Sequence, residues 1–164
     1  MPRMEHSYLI HILSYDPETG IFSWAQPRPK VRVGDAAGHT KKRTGYVAIE
    51  IDGKEYAAHR LAWFYVTGKM PSMQIDHVNR VKGDNRFENL REATNGQNRA
   101  NTKSSSKHGL KGVSYKKWLK DKPWEARITF QKKVRSLGCF ATKEEAHEAY
   151  CAEAKRLHGE FFNA

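Results

Sequence analysis

The chain has 164 residues, with 29 Lys plus Arg against 18 Asp plus Glu and a net charge of +11. A hydrophobic fraction of 38%, a mean hydropathy of −0.80 and the lack of any apolar run near the ~18 residues of a spanning helix exclude a membrane protein. Four Trp, seven Tyr and seven Phe exclude wholesale disorder, and two cysteines, Cys139 and Cys151, exclude a disulfide framework and a four-Cys zinc ribbon.

The length allows one ordinary domain or two small ones. The two cysteines fit a reduced, cytosolic compartment. The charge is spread as +3 over residues 1–75, +3 over 76–108 and +5 over 109–164, so it is not the property of one arm. A polyanion is the default partner of such a chain, and nucleic acid is the commonest one.

In chain order, Tyr8–Leu13 is too short and too polar for a secretory core. Asp16-Pro-Glu-Thr-Gly20 is a turn before a strand at Ile21–Trp24. Strands at Gly45–Ile51 and Glu55–Ala58 flank Asp52-Gly53, a hairpin turn pair. His59–Thr67 follows as a helix ended by Gly68, while Lys30–Thr44 is basic loop. The polar, serine-rich stretch 102–109 reads as a linker between a domain at 1–101 and a second at 110–164. Beyond it, Gly112–Trp118, Trp124–Phe130 and Val134–Phe140 read as strands. Ala126, Ile128 and Phe130 alternate there with Arg127 and Thr129, giving one buried and one charged face. Thr142 and Glu145 form a capping box for a helix whose stripe of Ala146, Ala149, Tyr150, Ala154 and Leu157 needs a sheet to cover.

The segment from Ile75 to Arg99 places an Asp beside a His, then amides, among arginines. Phosphodiester hydrolysis asks for such a set: a base titrating near neutrality, hard oxygen ligands for a divalent cation, and an acceptor to hold the imidazole tautomer. Arg80, Arg86, Arg91 and Arg99 read as phosphate-backbone contacts. His59 reads as a structural histidine at a strand–helix junction.

These residues resemble the HNH nucleases, specifically the phage-type homing endonucleases. The match runs through His59-Arg-Leu-Ala-Trp63, Ile75-Asp-His77, Asp84-Asn-Arg86, Asn89-Leu-Arg91 and Asn98. The resemblance implies an α+β chain built on a ββα-metal core with N-terminal strands. It makes His77 the general base, Asn89 the residue that orients it, and Asp76 and Asn98 the ligands of a Mg²⁺ or Mn²⁺ ion. Asn98 stands where many of these enzymes carry a second ligand His, which argues against tightly held zinc.

Residues 110–163 are similar to the plant ethylene-response-factor DNA-binding domain, through Lys111-Gly-Val113, Trp124–Ile128, Leu137–Phe140, Thr142–Ala146, Ala149-Tyr150 and His158-Gly-Glu160. That resemblance implies a three-stranded antiparallel sheet, backed by one helix, laid in the major groove. Arg127 and Thr129, on the charged face of the second strand, read as DNA contacts together with Lys116 and Arg135. Ser114, Ser136 and Arg127 depart from the plant pattern, so no target sequence is inherited. The expectation is a DNA endonuclease with double-stranded DNA as partner, monomeric or weakly dimeric, working in the cytoplasm of a bacterial host. The alternative is a non-cleaving DNA-binding regulator with a degenerate nuclease domain. An RNA-binding role ranks third, because no ribonucleoprotein signature is present.

Overall fold

A computed structural model describes residues 4–104 and 106–163. It is a mixed α and β chain that divides into two units, the first ending at Ala93 and the second beginning at Thr94. The division falls upstream of the serine-rich 102–109 stretch expected to be a linker. The helix after Thr94 makes its contacts inside the second unit: Lys111 Nζ donates to the carbonyls of Ala100 and Thr102, and Asn163 donates to Asn101. No helix of the described residues is long and apolar enough to cross a membrane.

The first unit opens with α1 (His6–Ile12), a helix that the sequence pattern does not signal, and runs directly into β1 (Leu13–Asp16). β1 pairs antiparallel with β2 (Ile21–Trp24), Leu13 opposite Trp24. Asp16 shapes the turn between them by accepting from the Glu18 N–H and the Thr19 hydroxyl. A second sheet has the order β3 (His39–Thr40), β4 (Val47–Ile51), β5 (Lys54–Ala57). Asp52 and Gly53, at φ 51° and 72°, form the two-residue turn expected of an Asp-Gly pair.

α2 (Ala58–Thr67) ends at Gly68, as its sequence signals. Leu61, Ala62 and Phe64 face inward from it onto Leu9, Leu13, Ile49 and Ile51, the centre of the core. Burying each of the large members contributes about 1.5–3 kcal/mol. A third small sheet pairs β6 (Gln74–His77) with β7 (Leu90–Ala93).

The N-terminal hairpin also touches the segment that joins β6 to β7. The Tyr15 hydroxyl donates to the Asn85 carbonyl at 2.7 Å, and the Phe87 N–H donates to the Pro17 carbonyl at 3.0 Å. Gly20, at φ +74°, lies so close that a Cβ there would meet the Arg86 nitrogen and the Asn85 carbonyl carbon at 2.4 Å. Only glycine permits that approach.

The second unit contains α3 (Asn95–Asn101) and a three-stranded sheet backed by one helix. The sheet order is β10 (Lys133–Phe140), β9 (Trp124–Phe130), β8 (Val113–Tyr115), all antiparallel. α4 (Lys143–His158) starts on the Thr142–Glu145 capping box and buries Ala146, Tyr150 and Ala154 against Ala126, Ile128 and Val113. The small residues of that stripe let helix and sheet approach closely. Gly112 is the extreme case, its backbone in van der Waals contact with the Tyr150 ring.

Candidate active site

β6 ends on Asp76 and His77, and both residues are only 4% exposed. Neighbours on a regular strand point to opposite faces, but His77 is the last residue of β6 and the chain turns immediately after it, the Arg80 N–H bonding back to the His77 carbonyl at 2.9 Å. Register decides the partner of Asp76. It stands opposite Arg91 on β7, whose Nε and Nη2 both lie 3.0 Å from Asp76 Oδ2. Arg91 is thus an ion-pair partner of the buried carboxylate, a role that its position among the arginines does not announce.

The His77 ring meets Asn85, Nε2 to Oδ1 at 3.1 Å. With oxygen as acceptor, Nε2 carries the proton and the lone pair falls on Nδ1. Burial lowers the His77 pKa, and the hydrogen bond to Asn85 works against that. Asn89, to which the resemblance gives the orienting role, has its amide on the loop between the strands: its Oδ1 accepts from the Asn79 N–H at 2.9 Å and its Nδ2 donates to the Asp84 carbonyl at 2.7 Å. Asn89 holds the loop, and Asn85 holds the imidazole.

Asp84 is the other anchor of that loop. Asn79 Nδ2 donates to it at 2.7 Å, and Arg86 reaches it through Nε at 2.9 Å and Nη2 at 2.8 Å. The Arg86 guanidinium holds the Asp84 carboxyl down at about 2. Arg86 also meets Glu88 at 2.9 Å, so this second arginine expected on DNA is engaged within the loop. Arg80 lies in the same loop at φ +65°, an uncommon conformation for a residue with a Cβ.

Two aromatic neighbours complete the surroundings of His77. The His59 ring, from the first turn of α2, lies edge-on to it, and the Tyr46 ring packs against both, 5.1 Å from His59 and 5.9 Å from His77. His59 Nδ1 is buried with no hydrogen-bond partner among the described residues. Burial, then the neighbouring His77 and Arg60, push the His59 pKa down to about 4. Lys82 Nζ sits 5.0 Å over the Tyr46 ring.

Among the described residues no group of three or more His, Cys, Asp or Glu side chains is placed to hold a metal ion. One buried carboxylate beside an imidazole does not make a zinc cage; its hard oxygens suit an ion that draws most of its ligands from water and phosphate.

The second unit carries the remaining sequence candidates. Asn98 and the exposed Arg99 lie on α3. Arg127 and Thr129 are exposed on the outer face of β9, as the alternation requires. Lys116 is paired to Glu125 at 3.1 Å. Arg135 stands opposite Ile128, so period-two geometry turns it to the α4 side of the sheet rather than the outer face. Two features escape sequence reasoning: Asn85 as the partner of His77, and the buried nitrogen that keeps His59 from being a satisfied structural histidine. Asn85 is visible in the Asp-Asn-Arg run, but only the loop's path brings it to the ring.

Comparison with known proteins agrees with the chemistry of this segment. Residues 56–100 match the family model described as HNH endonuclease. The chain is 30% identical over 122 residues to an uncharacterized HNH endonuclease of Acanthamoeba polyphaga mimivirus, covering 73% of this chain and 62% of that protein. Over 65 residues it is 45% identical to an ethylene-responsive transcription factor of Arabidopsis thaliana, covering 40% of this chain and 19% of that protein. The chain therefore spans less than two thirds of the length of either relative. No solved structure matches it significantly. Residues 56–100, from the end of β5 into α3, are thus the part of the chain that is similar to HNH endonucleases.

Proposed function

We propose that this chain is a metal-dependent endonuclease of the homing type that hydrolyses a phosphodiester of duplex DNA. The observation that carries the reading is the buried Asp76–His77 pair at the end of β6, its imidazole bonded to Asn85, within the segment that matches the HNH family. His77 acts as general base. Its burial-lowered pKa leaves it neutral at pH 7, and Nδ1 takes the proton of a water whose oxygen attacks phosphorus. The bond from phosphorus to the 3′ oxygen breaks, and that oxygen leaves with the bonding pair. Asp76 and, by the resemblance, Asn98 would hold the divalent ion, Mg²⁺ or Mn²⁺. When bound, the ion supplies charge neutralisation at the phosphate and the leaving oxygen. Arg91 fixes the Asp76 carboxylate in place, and Asn85 fixes the ring of His77.

The second unit serves as the DNA grip on this reading, with Arg127 and Thr129 on the exposed sheet face toward the duplex. The test is incubation with supercoiled plasmid, with and without Mg²⁺ or Mn²⁺, for wild type and His77→Ala. Nicked or linear product from the wild type alone supports the reading. Its absence at every metal concentration, with DNA still bound, favours the second reading: a non-cleaving DNA-binding regulator. The similarity to a plant transcription factor over 65 residues is the observation on that side.

A further inference from the structure

The second unit holds a groove of about 1090 Å³ that the nuclease chemistry does not use. Its floor is apolar, with Ile128, Tyr150 and Leu157, and its walls come from α3, the residues after it, and the turn between β9 and β10. Arg99, Lys103, Lys111, Arg127 and Lys132 line it, and no Asp or Glu among the described residues does. The charged residues of the lining are all cations, set among neutral polar and apolar ones.

Two further features belong to this groove. β8 pairs with β9 only from Trp124 to Ala126, so from Arg127 onward that edge of β9 has no neighbouring strand among the described residues. The turn at its end is made by Gln131 and Lys132 at φ 49° and 63°. Both carry side chains in the left-handed region, where Asn-Gly would rest without strain, and Lys132 lines the groove from there. Lys111 is committed to the Ala100 and Thr102 carbonyls, which leaves Arg99, Lys103 and Lys132 as the exposed cations of the rim away from the sheet face.

We propose that this groove binds the phosphodiester backbone of a nucleic-acid strand, as a second binding surface beside the outer face of the sheet. The inference rests on the reading of this unit as the DNA grip and adds to it a site on a different side. A row of cations without a carboxylate recognises a polyanion by charge and not by base identity, so the groove supplies affinity and salt sensitivity and no sequence preference.

The experiment uses full-length protein without metal, so that cleavage is not needed for the readout. A fluorescent duplex of about 20 base pairs and a single strand of the same length are titrated across a salt series. Arg99→Ala/Lys103→Ala/Lys132→Ala is compared with Lys143→Ala/Lys155→Ala/Arg156→Ala, which removes the same number of cations from α4 outside the groove. Ser136→Glu, opposite Arg127 on β10 and outside the groove, serves as the variant of the outer sheet face. All of these side chains are exposed, and a thermal melt confirms that each variant folds. The groove variant should lose at least about tenfold in affinity and flatten the log–log salt slope by about 0.9 for each phosphate no longer neutralised, and the α4 variant should do neither. Weaker binding of the duplex alone makes the ligand a duplex backbone, and equal weakening on both makes it either strand form. Equal behaviour of the groove and α4 variants overturns the proposal. If Ser136→Glu still weakens binding in that case, the sheet-face reading survives it. Displacement of a labelled poly-glutamate peptide from the groove, with DNA affinity unchanged in the groove variant, would also overturn the proposal, because the occupant would then be an acidic protein segment.

Discussion

The imidazoles of His59 and His77 meet edge to face, their centroids 5.2 Å apart and their planes inclined at 74°. Two rings so close and so buried cannot both be charged, and it is His59, with its unpartnered Nδ1, that is driven furthest toward neutrality.

That arrangement makes the first unit acid-sensitive. His59 titrates near 6.5 when unfolded and near 4 when folded, so the unfolded chain binds more protons between those values. Stability is therefore fully present above pH 6.5 and falls as pH drops toward 4, by an amount on the order of 3 kcal/mol. Urea denaturation at a series of pH values should show this slope, and His59→Phe, which keeps a ring against His77, should reduce it. A variant with the wild-type slope would show that His59 is already protonated in the fold.

Asn85 gives a prediction about rate. Asn85→Ala removes the acceptor from Nε2 of His77 and should cut cleavage about 10²-fold, the lower range of what a positioned base contributes. Asn85→Asp restores an acceptor and adds a negative charge, which raises the His77 pKa. The acid limb of the pH–rate profile should move to higher pH. Full activity in Asn85→Ala would remove Asn85 from the site.

Asn89→Ala should act on stability instead. It deletes the bonds to the Asn79 N–H and the Asp84 carbonyl, at a cost of about 1–3 kcal/mol for buried groups left unpaired. The melting temperature should drop, and hydrogen exchange should quicken in residues 78–84.

Arg91→Ala removes the ion-pair partner that Asp76 has on β7 and leaves its buried carboxylate less compensated, a change that costs up to about 3–5 kcal/mol in comparable pairs. Arg91→Lys keeps the charge but not the two-nitrogen grip, and should fall between. Chemical denaturation of both, and of the Arg91→Ala/Asp76→Asn double variant, reads the coupling directly.

On the DNA side, Arg127→Ala should lower the salt slope of duplex binding by about 0.9, while Arg135→Ala should leave it unchanged because Arg135 lies on the α4 side of the sheet. Equal effects would mean that the outer face is not where the duplex lies.

Much of this fold is legible in the sequence because local signals agree with one another. Asp52-Gly53 sets a hairpin, Gly68 stops α2, and the Thr142–Glu145 box starts α4. The alternation of β9 correctly separates its two faces. α1 is hidden because its buried apolar residues, Leu9 and Ile12, are too few to mark a period, and tertiary burial holds it. Arg135 escapes assignment to the correct face because its side of the sheet depends on strand register, which composition does not reveal. At the site, Asp76 and His77 announce themselves by adjacency. The partner of the imidazole does not, since Asn85 and Asn89 are chemically identical and only the loop's three-dimensional path separates them.

The seating of the Gly20 turn on the Asn85–Arg86 backbone bears on how such a gene can be rearranged. The family match begins at residue 56, yet the strut behind Asn85 comes from residues 15–20. Transplanting 56–100 alone onto a new DNA-binding partner would leave the loop that orients His77 without backing. The heritable cassette is thus longer than its signature: it starts at the N-terminal hairpin. Viable chimeras should keep everything from the N-terminal hairpin through residue 100 from one parent.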